Sequence, residues 1–411
     1  VPESVAPEVH LVVGTRPEAL KVAPVIESFA RRGRIRPVVV ASGQHPAMVD
    51  QALAVFGLEP DVVLPVGRRA GGQADFFARL LPPLAELWEG RRPAAVLVQG
   101  DTSTAFAGGL SAFWTGLPVV HLEAGLRSHD LAAPFPEEAN RRFLSVVAAL
   151  HLAPTPAAAR HLVNEGVPEA RILVTGNTSV DAVHRIAAYP RAFAEPRLAD
   201  LERRARRGHS RIVLTTIHRR ESWGAPTTRV LGAVRALVAA HPDLEVVLPA
   251  HPNPAVRSQV YRELGGTERV LITDPLDYPD LMRVLSASAL VLSDSGGIQE
   301  EAPTFAVPVL VLRDVTERHE AVEAGCAVLV GTDESRILAA ARPLLAGPAP
   351  GKAAPAAGNP FGDGHAAERT EQAVAKLLGL TTAAPSPFRA PTGRTHGPVL
   401  PAPYPLTEVG S

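Results

Sequence analysis

The chain reads as an α/β protein built from two doubly wound domains. Three observations predict this. Short Val/Leu/Ile runs end in Gly, Ser, Thr or Asp, and longer segments with helical spacing follow them. The runs are continuous rather than alternating, the pattern of parallel strands buried on both faces. The series breaks over a stretch rich in Arg and Ala at about 186–209 and then starts again. A length of 411 residues accommodates two such domains.

In chain order, HLVVG (10–14) leads into a helix expected from about Pro17 to Ala30. RPVVVASGQ leads into AMVDQALAVFG, and AAVLVQGD (94–101) into STAFAGGLSAFW. PVVHLEAG (118–125) precedes FPEEANRRFLSVVAA, LHLAPT (150–155) precedes PAAARHLVNEG, and RILVTGN (171–177) closes the first half. The second half offers RIVLTTIHR (211–219), LEVVLPAHPN (244–253), ERVLITDPL (268–276), ALVLSDSGG (289–297), VPVLVLRD (307–314) and AVLVG (327–331) as strands. ERTEQAVAKLLG (368–379) is a final helix. From Thr381 the chain is rich in Pro, Thr and Ala without periodicity, and it is expected to be disordered.

Bulk composition narrows the function classes. Lys+Arg number 41 against 42 Asp+Glu, so no basic stripe points to nucleic acid and no polybasic helix to a membrane surface. The single cysteine, Cys326, forms no internal disulfide and excludes cysteine-based zinc sites. No apolar run approaches the roughly 20 residues a spanning helix needs. The expectation is a soluble protein of a reducing compartment, the cytoplasm. Neither GxGxxG nor GxxxxGK[ST] occurs, so the usual fingerprints of dinucleotide dehydrogenases and P-loop NTPases are missing. Two α/β domains still imply a ligand cleft at the C-terminal ends of their strands.

Polar residues gather at those strand ends. Arg16 follows the first strand in GTRPE, either as a surface residue of an ordinary Gly/Pro turn or as a ligand for an anion. Asp101 ends the strand in QGDTST, and taken alone it is better explained as a helix N-cap. Glu123 lies between an apolar strand and a glycine, with Arg127 and His129 close behind. Glu137 and Glu138 stand at a helix start, where the dipole stabilises them. The second half supplies His218, Arg219, Arg220 and Glu221 after one strand and His251 after the next. Ser295, Gly296 and Gly297 offer free N–H groups, and RDVTERHEA supplies Arg313 and Arg318. Cations and helix starts dominate one half and carboxylates the other. A diphosphate held by one domain and acid/base chemistry done by the other would require that division.

These residues carry a resemblance. GTRPEALKVAP, GDTSTAF, HLEAGLRS, FPEEANR, GNTSVDAV, HRRESWG, HPNP, SDSGGIQEEAP, RDVTERHEA, GTD and NPFGDGHAAER occur in the order found in the non-hydrolysing UDP-N-acetylglucosamine 2-epimerases, from about Val9 to Leu380. The resemblance implies the GT-B arrangement, two Rossmann-like domains facing across a cleft. They are placed at 1–180 and 181–365, with a helix at 366–380 crossing back to the first domain and a tail at 381–411. It also implies interconversion of UDP-GlcNAc and UDP-ManNAc in the cytoplasm for cell-surface polysaccharide biosynthesis, a homodimer, and no metal or redox cofactor. By resemblance Asp101, Glu123 and Glu138 match the acid/base carboxylates, and His218 the active-site histidine. Arg16, His251, Ser295, Gly296, Gly297, Glu301 and Arg318 match the UDP contacts, and Glu300 is expected to be structural.

The match is not uniform. The family's substrate-activation segment reads SGQHPAMVDQ here: Gln44 and His45 match, but Pro46 and Ala47 replace longer polar residues. VGRRAGGQADF leaves the arginine register open, and substrate activation is expected to be weakened or absent. Leu281 replaces an aromatic residue, giving an apolar floor without ring stacking. The rival readings are an epimerase for a modified sugar such as a diacetamido uronic acid, a hydrolysing relative, a GT-B glycosyltransferase and a nucleotide-sugar sensor. A sensor would tolerate loss of the carboxylate trio, and transfer chemistry does not need it as a set.

Overall fold

A computed structural model describes residues 6–67, 72–188, 191–219, 222–346 and 358–391. The chain forms two compact units. One runs to Arg185 and includes Phe361–Ala390, and the other holds Ile186–Pro360. The division thus lies a little beyond residue 180, and the returning segment is longer than 366–380.

The first unit is built on seven parallel strands: β1 (Glu8–Val13), β2 (Arg36–Ala41), β3 (Val62–Val63), β4 (Ala95–Gln99), β5 (Val119–Leu122), β6 (Leu150–Ala153) and β7 (Ile172–Val174). Their order is β3-β2-β1-β4-β5-β6-β7, so the direction of winding reverses between β1 and β4. These two strands pair in parallel, with Leu11 opposite Leu97. Val12, Val96, Val98, Leu80, Leu84 and Trp88 pack one face of the sheet into a continuous core. The short β3 escaped the sequence reading, as did helix Gln73–Arg91, which continues through Pro82 and Pro83. The first helix is Arg16–Arg32, slightly longer than expected, and ends where Gly33 takes the left-handed conformation.

The returning helix, Ala366–Leu377, belongs to this first unit. Arg34 forms a two-pronged pair with Glu371, at 2.6 and 2.8 Å, whose side chain is fully buried. The helix start is capped from elsewhere in the chain: the Asp181 carboxylate accepts from the backbone N–H groups of Ala366 and Ala367. Residues 381–391 depart from the expected disorder. Phe388 is buried, its N–H donates to the Val174 carbonyl at the open edge of β7, and the Arg369 guanidinium lies over its ring. Composition could not reveal this, because one aromatic anchor and one backbone bond suffice to seat the segment. The rest of the expected tail, 392–411, lies outside the described residues.

The second unit has six parallel strands: β8 (Arg211–Thr216), β9 (Leu244–Pro249), β10 (Val270–Thr273), β11 (Ser288–Ser293), β12 (Val309–Val311) and β13 (Ala327–Leu329). The order β10-β9-β8-β11-β12-β13 repeats the reversal, here between β8 and β11. Val213, Leu231, Val246, Leu290, Leu292, Leu310 and Ile337 belong to its core. No helix among the described residues is long and apolar enough to cross a membrane.

The Asp181 cap carries a pH signature. Burial pushes its carboxyl up from 3.8 to about 6, more than its two backbone donors can offset. The folded state therefore binds this proton more tightly than the unfolded chain. The stability it contributes is fully present below the unfolded value and is lost as pH rises through about 6. Asp181→Asn keeps an acceptor but cannot ionise, so its stability relative to wild type is expected to improve between about pH 4 and pH 7. Asp181→Ala loses the cap and about 1 kcal/mol. Urea midpoints across that window test this, and a pH-independent gap between wild type and Asp181→Asn would refute it.

Candidate active site

In an open parallel sheet, ligands bind outside the carboxyl ends of the strands where the winding reverses. In the first unit that place is marked by the residues following β1 and β4. Gly14 follows β1, and a Cβ there would lie 2.2 Å from Thr104 Oγ1 and 2.4 Å from Ser42 Oγ, so only glycine fits. Arg16 follows, half-buried, and no hydrogen bond or ion pair is seen for it among the described residues.

Asp101 follows β4, but it is not the helix cap. Thr102 takes that role by accepting from Ala105 N at 3.0 Å. Asp101 instead receives Arg141, with Nε at 2.8 Å and Nη2 at 2.6 Å from its Oδ2. The same guanidinium reaches Glu138 Oε2 through Nη1 at 3.2 Å. One cation therefore brings two carboxylates together. Glu138 also accepts from Ser128 N (3.0 Å), His129 N (3.3 Å) and Arg142 Nε (3.2 Å). Burial opposes its ionisation, but the Ser128 N–H and the two arginines outweigh that and hold its carboxyl below the usual range.

The Glu138 side chain has no exposed surface. Surrounded by four donors, it is placed to hold Arg141 and the 128–129 backbone rather than to meet a substrate. Its neighbour Glu137 is half-exposed. Both open helix Glu137–Val147, and adjacent helical positions face about 100° apart, so the two carboxylates have different surroundings.

Glu123 lies just past β5 with φ +64, a left-handed conformation uncommon for a residue with a side chain. It pairs with Lys21, and its side chain is 10% exposed. Gly125 follows at φ +91, where a Cβ would lie 2.2 Å from the Ala158 carbonyl oxygen. His121, fully buried on β5, bonds the Gly100 carbonyl at 2.8 Å, and burial pushes its pKa down to about 3, so it stays neutral. Gln44 accepts from Thr104 Oγ1 (2.7 Å), and His45 N donates to the Gly14 carbonyl (3.1 Å). The arginines of VGRRAGGQADF fall in residues 68–71, which lie outside the described residues.

In the second unit the residues after β8 and β11 meet in the same way. Asp294 is fully buried, and its carboxylate accepts from the backbone N–H groups of His218 and Arg219 at 3.0–3.1 Å. This fixes the loop on which the His218 side chain is exposed. Arg220 and Glu221 lie outside the described residues. The His218 ring lies 6.3 Å from that of His251, which in turn lies 5.5 Å from Trp223. His251 Nδ1 accepts from Asn253 N (3.0 Å), which assigns the proton of the neutral ring to Nε2 and leaves that edge a donor.

Ser295 precedes the short helix Gly296–Glu301, and its N–H is not free as expected but donates to the Ser293 hydroxyl at 3.0 Å. A Cβ on Gly296 would lie 3.0 Å from Arg318 Cζ, so the glycine admits the guanidinium. Arg318 is held by Glu300, at 3.0 Å from Nε and 2.9 Å from Nη2, and by Glu317 at 3.4 Å from Nη1. Burial works against Glu317, but the Arg313 hydrogen bond and the Arg318 and Arg313 charges hold its pKa at about 2. Glu301 accepts from the Tyr278 hydroxyl at 2.9 Å. Gly297 touches little: a Cβ there would lie 3.8 Å from Ser295 Oγ and 4.0 Å from Glu301 Oε1.

Several residues that shape these ends were missed from sequence: Lys21, Arg141, Asp294 and Tyr278. The Glu138–Arg141 spacing of three along a helix was a readable signal. Lys21–Glu123 spans 102 residues and had none.

The UDP-N-acetylglucosamine 2-epimerase family profile matches residues 27–375. The UDP-N-acetylglucosamine 2-epimerase of Bacillus subtilis is 39% identical over 381 residues, 93% of this chain and 98% of that protein. Among solved structures, a UDP-GlcNAc 2-epimerase from Neisseria meningitidis bound to UDP-GlcNAc superposes with a TM-score of 0.79 at 36% identity, covering 90% of this chain and all of that one. An S. aureus structure determined with UDP gives a TM-score of 0.82 at 38% identity, covering 93% and 100%. The strand-end residues thus stand in a chain that belongs to the UDP-N-acetylglucosamine 2-epimerase family.

Proposed function

We propose that this chain interconverts UDP-GlcNAc and UDP-ManNAc by eliminating and re-adding UDP. The observation that carries the reading is the division of labour at the strand ends. Carboxylates held by Arg141 and Lys21 mark the first unit, and cations, histidines and N–H donors mark the second.

C2 of the sugar is not next to a carbonyl, so direct proton removal would leave an unstabilised carbanion. Breaking the C1–O bond to UDP first makes the ring oxocarbenium-like and its C2–H acidic. A carboxylate then takes that proton and leaves 2-acetamidoglucal. Protonation at C2 from the other face, with return of UDP oxygen to C1, gives the epimer. Ionised carboxylates stabilise the developing cation, and one on each face serves as base or acid. Asp101 and Glu123 fill these roles, and the half-exposed Glu137 replaces the buried Glu138 as the third carboxylate. Glu138 is assigned to positioning Arg141.

Charge developing on the departing diphosphate is met by Arg16, Arg318, His218, the Ser295 hydroxyl and the Gly296 and Gly297 N–H groups, which strengthen their hold as the bond breaks. His251 adds its Nε2 donor, and Glu301, oriented by Tyr278, accepts from the ribose hydroxyls. Glu300 holds Arg318 in place, so the second carboxylate of SDSGGIQEEAP serves the anion site indirectly.

The first unit also has an apolar outer face. Phe113, Trp114, Phe143 and Val146, on helices Ser103–Trp114 and Glu137–Val147, are each more than half exposed, and Phe143 stacks on Phe106. Phe113 and Val146 border a groove of about 910 Å³ that Leu117, Ile172 and Leu377 also line. A face of this kind fits self-association, and we assign it to a homodimer. The single cysteine fits a cytoplasmic setting, where surface-polysaccharide precursors are made.

Incubation with UDP-GlcNAc in deuterium oxide is expected to give UDP-ManNAc with deuterium at C2. Retained protium with no new sugar would falsify the epimerase reading. Free ManNAc would point to hydrolysis, and acceptor-dependent UDP release to transfer. Glu123→Gln and Glu137→Gln are expected to keep UDP affinity and melting temperature while turnover falls by about 10²–10⁴-fold. Glu138→Gln should instead lower the melting temperature, and a Glu137→Gln variant of normal rate would return the role to Glu138. Val146→Asp is expected to shift sedimentation from dimer to monomer, and an unchanged dimer would remove this face from the interface.

A further inference from the structure

Glu18 sits in the first turn of helix Arg16–Arg32 and is fully buried. Its Oε2 accepts from Gly14 N at 3.0 Å and Thr15 N at 2.7 Å, and its Oε1 from Thr102 Oγ1 at 2.5 Å. A carboxylate at the third helical position commonly reaches back to the backbone at a helix start. That role accounts for the two N–H bonds. It accounts neither for the bond to Thr102, 84 residues away, nor for complete burial.

The two sets of partners belong to different loops. Gly14 and Thr15 lead directly to Arg16. Thr102 directly follows Asp101 and is itself fixed as the cap of the next helix. The strands behind these loops, β1 and β4, are paired at the reversal of the sheet. We infer that Glu18 is a positioning residue for the epimerisation, fastening the Arg16 loop to the Asp101 loop. The inference rests on the function proposed above, in which Arg16 meets the diphosphate and Asp101 the sugar. A displacement of about 1 Å in such a group can cost about 100-fold in rate.

Burial pushes the Glu18 carboxyl up to about 7 in spite of its donors. All three contacts survive in either protonation state, because Thr102 Oγ1 can accept as well as donate. Glutamine, with its amide nitrogen turned to Thr102 and its oxygen to the two N–H groups, preserves the same links. Aspartate is one methylene shorter and reaches one loop at a time.

Initial rates, melting temperature and UDP affinity by calorimetry should be measured for wild type, Glu18→Gln, Glu18→Asp and Thr102→Ser. Glu18→Gln and Thr102→Ser are expected within about 3-fold of wild type throughout. Glu18→Asp is expected to lose about 100-fold in kcat and about 10-fold in UDP affinity. A Glu18→Asp variant that melts lower but keeps kcat, KM and UDP affinity would overturn the inference, leaving Glu18 a helix cap. Loss in Glu18→Gln as large as in Glu18→Asp would also overturn it, since the carboxyl would then do more than position. If wild type itself exchanges no C2 hydrogen, the parent reading fails separately, and the UDP affinities still decide whether Glu18 places Arg16.

Discussion

A parallel sheet covered on both faces leaves polar side chains little room except at its ends, and every candidate residue in this protein obeys that constraint. β1, β4, β8 and β11 carry near-continuous apolar runs because each is buried on both sides. Where these runs stop, backbone N–H groups lose their sheet partners and polar residues take over. Since both sheets reverse their winding next to these strands, the polar ends of neighbouring strands diverge and leave space for a ligand.

Charge at these ends is managed in pairs. Carboxylates brought close together would repel one another and take up protons, and such groups are poor stabilisers of a cation. Arg141 between Asp101 and Glu138, and Lys21 against Glu123, prevent this in the first unit. The second unit solves the opposite problem. Arg318 is flanked by Glu300 and Glu317, and Asp294 gathers the His218 and Arg219 N–H groups. Asp101 and Arg318 are thus each oriented by partners of opposite charge that are themselves more deeply buried.

Much of this was legible in the sequence. Continuous apolar runs announced both sheets except for the two-residue β3, and glycine, serine and acidic residues at the run ends marked the candidate loops. What sequence could not supply were facts about facing and distance. Glu137 and Glu138 are identical in type and adjacent, and only the helix decides that one is sealed in. Asp101 had the look of a cap, and the true cap, Thr102, was one residue away. Lys21 and Glu123 meet across 102 residues, so no local spacing announces them. Phe388 is one aromatic residue in a Pro-rich stretch, and its burial depends on an open strand edge elsewhere.

The return of Phe361–Ala390 to the first unit has a consequence for how the chain is made. Synthesis proceeds from the N-terminus, and domains generally fold as they emerge. Here the first unit to begin is completed only after every strand of the second. Its strands leave the ribosome early, but the helix that Asp181 caps and the segment that covers the β7 edge arrive only after all of Ile186–Pro360. For that interval a seven-stranded sheet waits with its β7 edge open, while all six strands of the second unit, translated later, are already made.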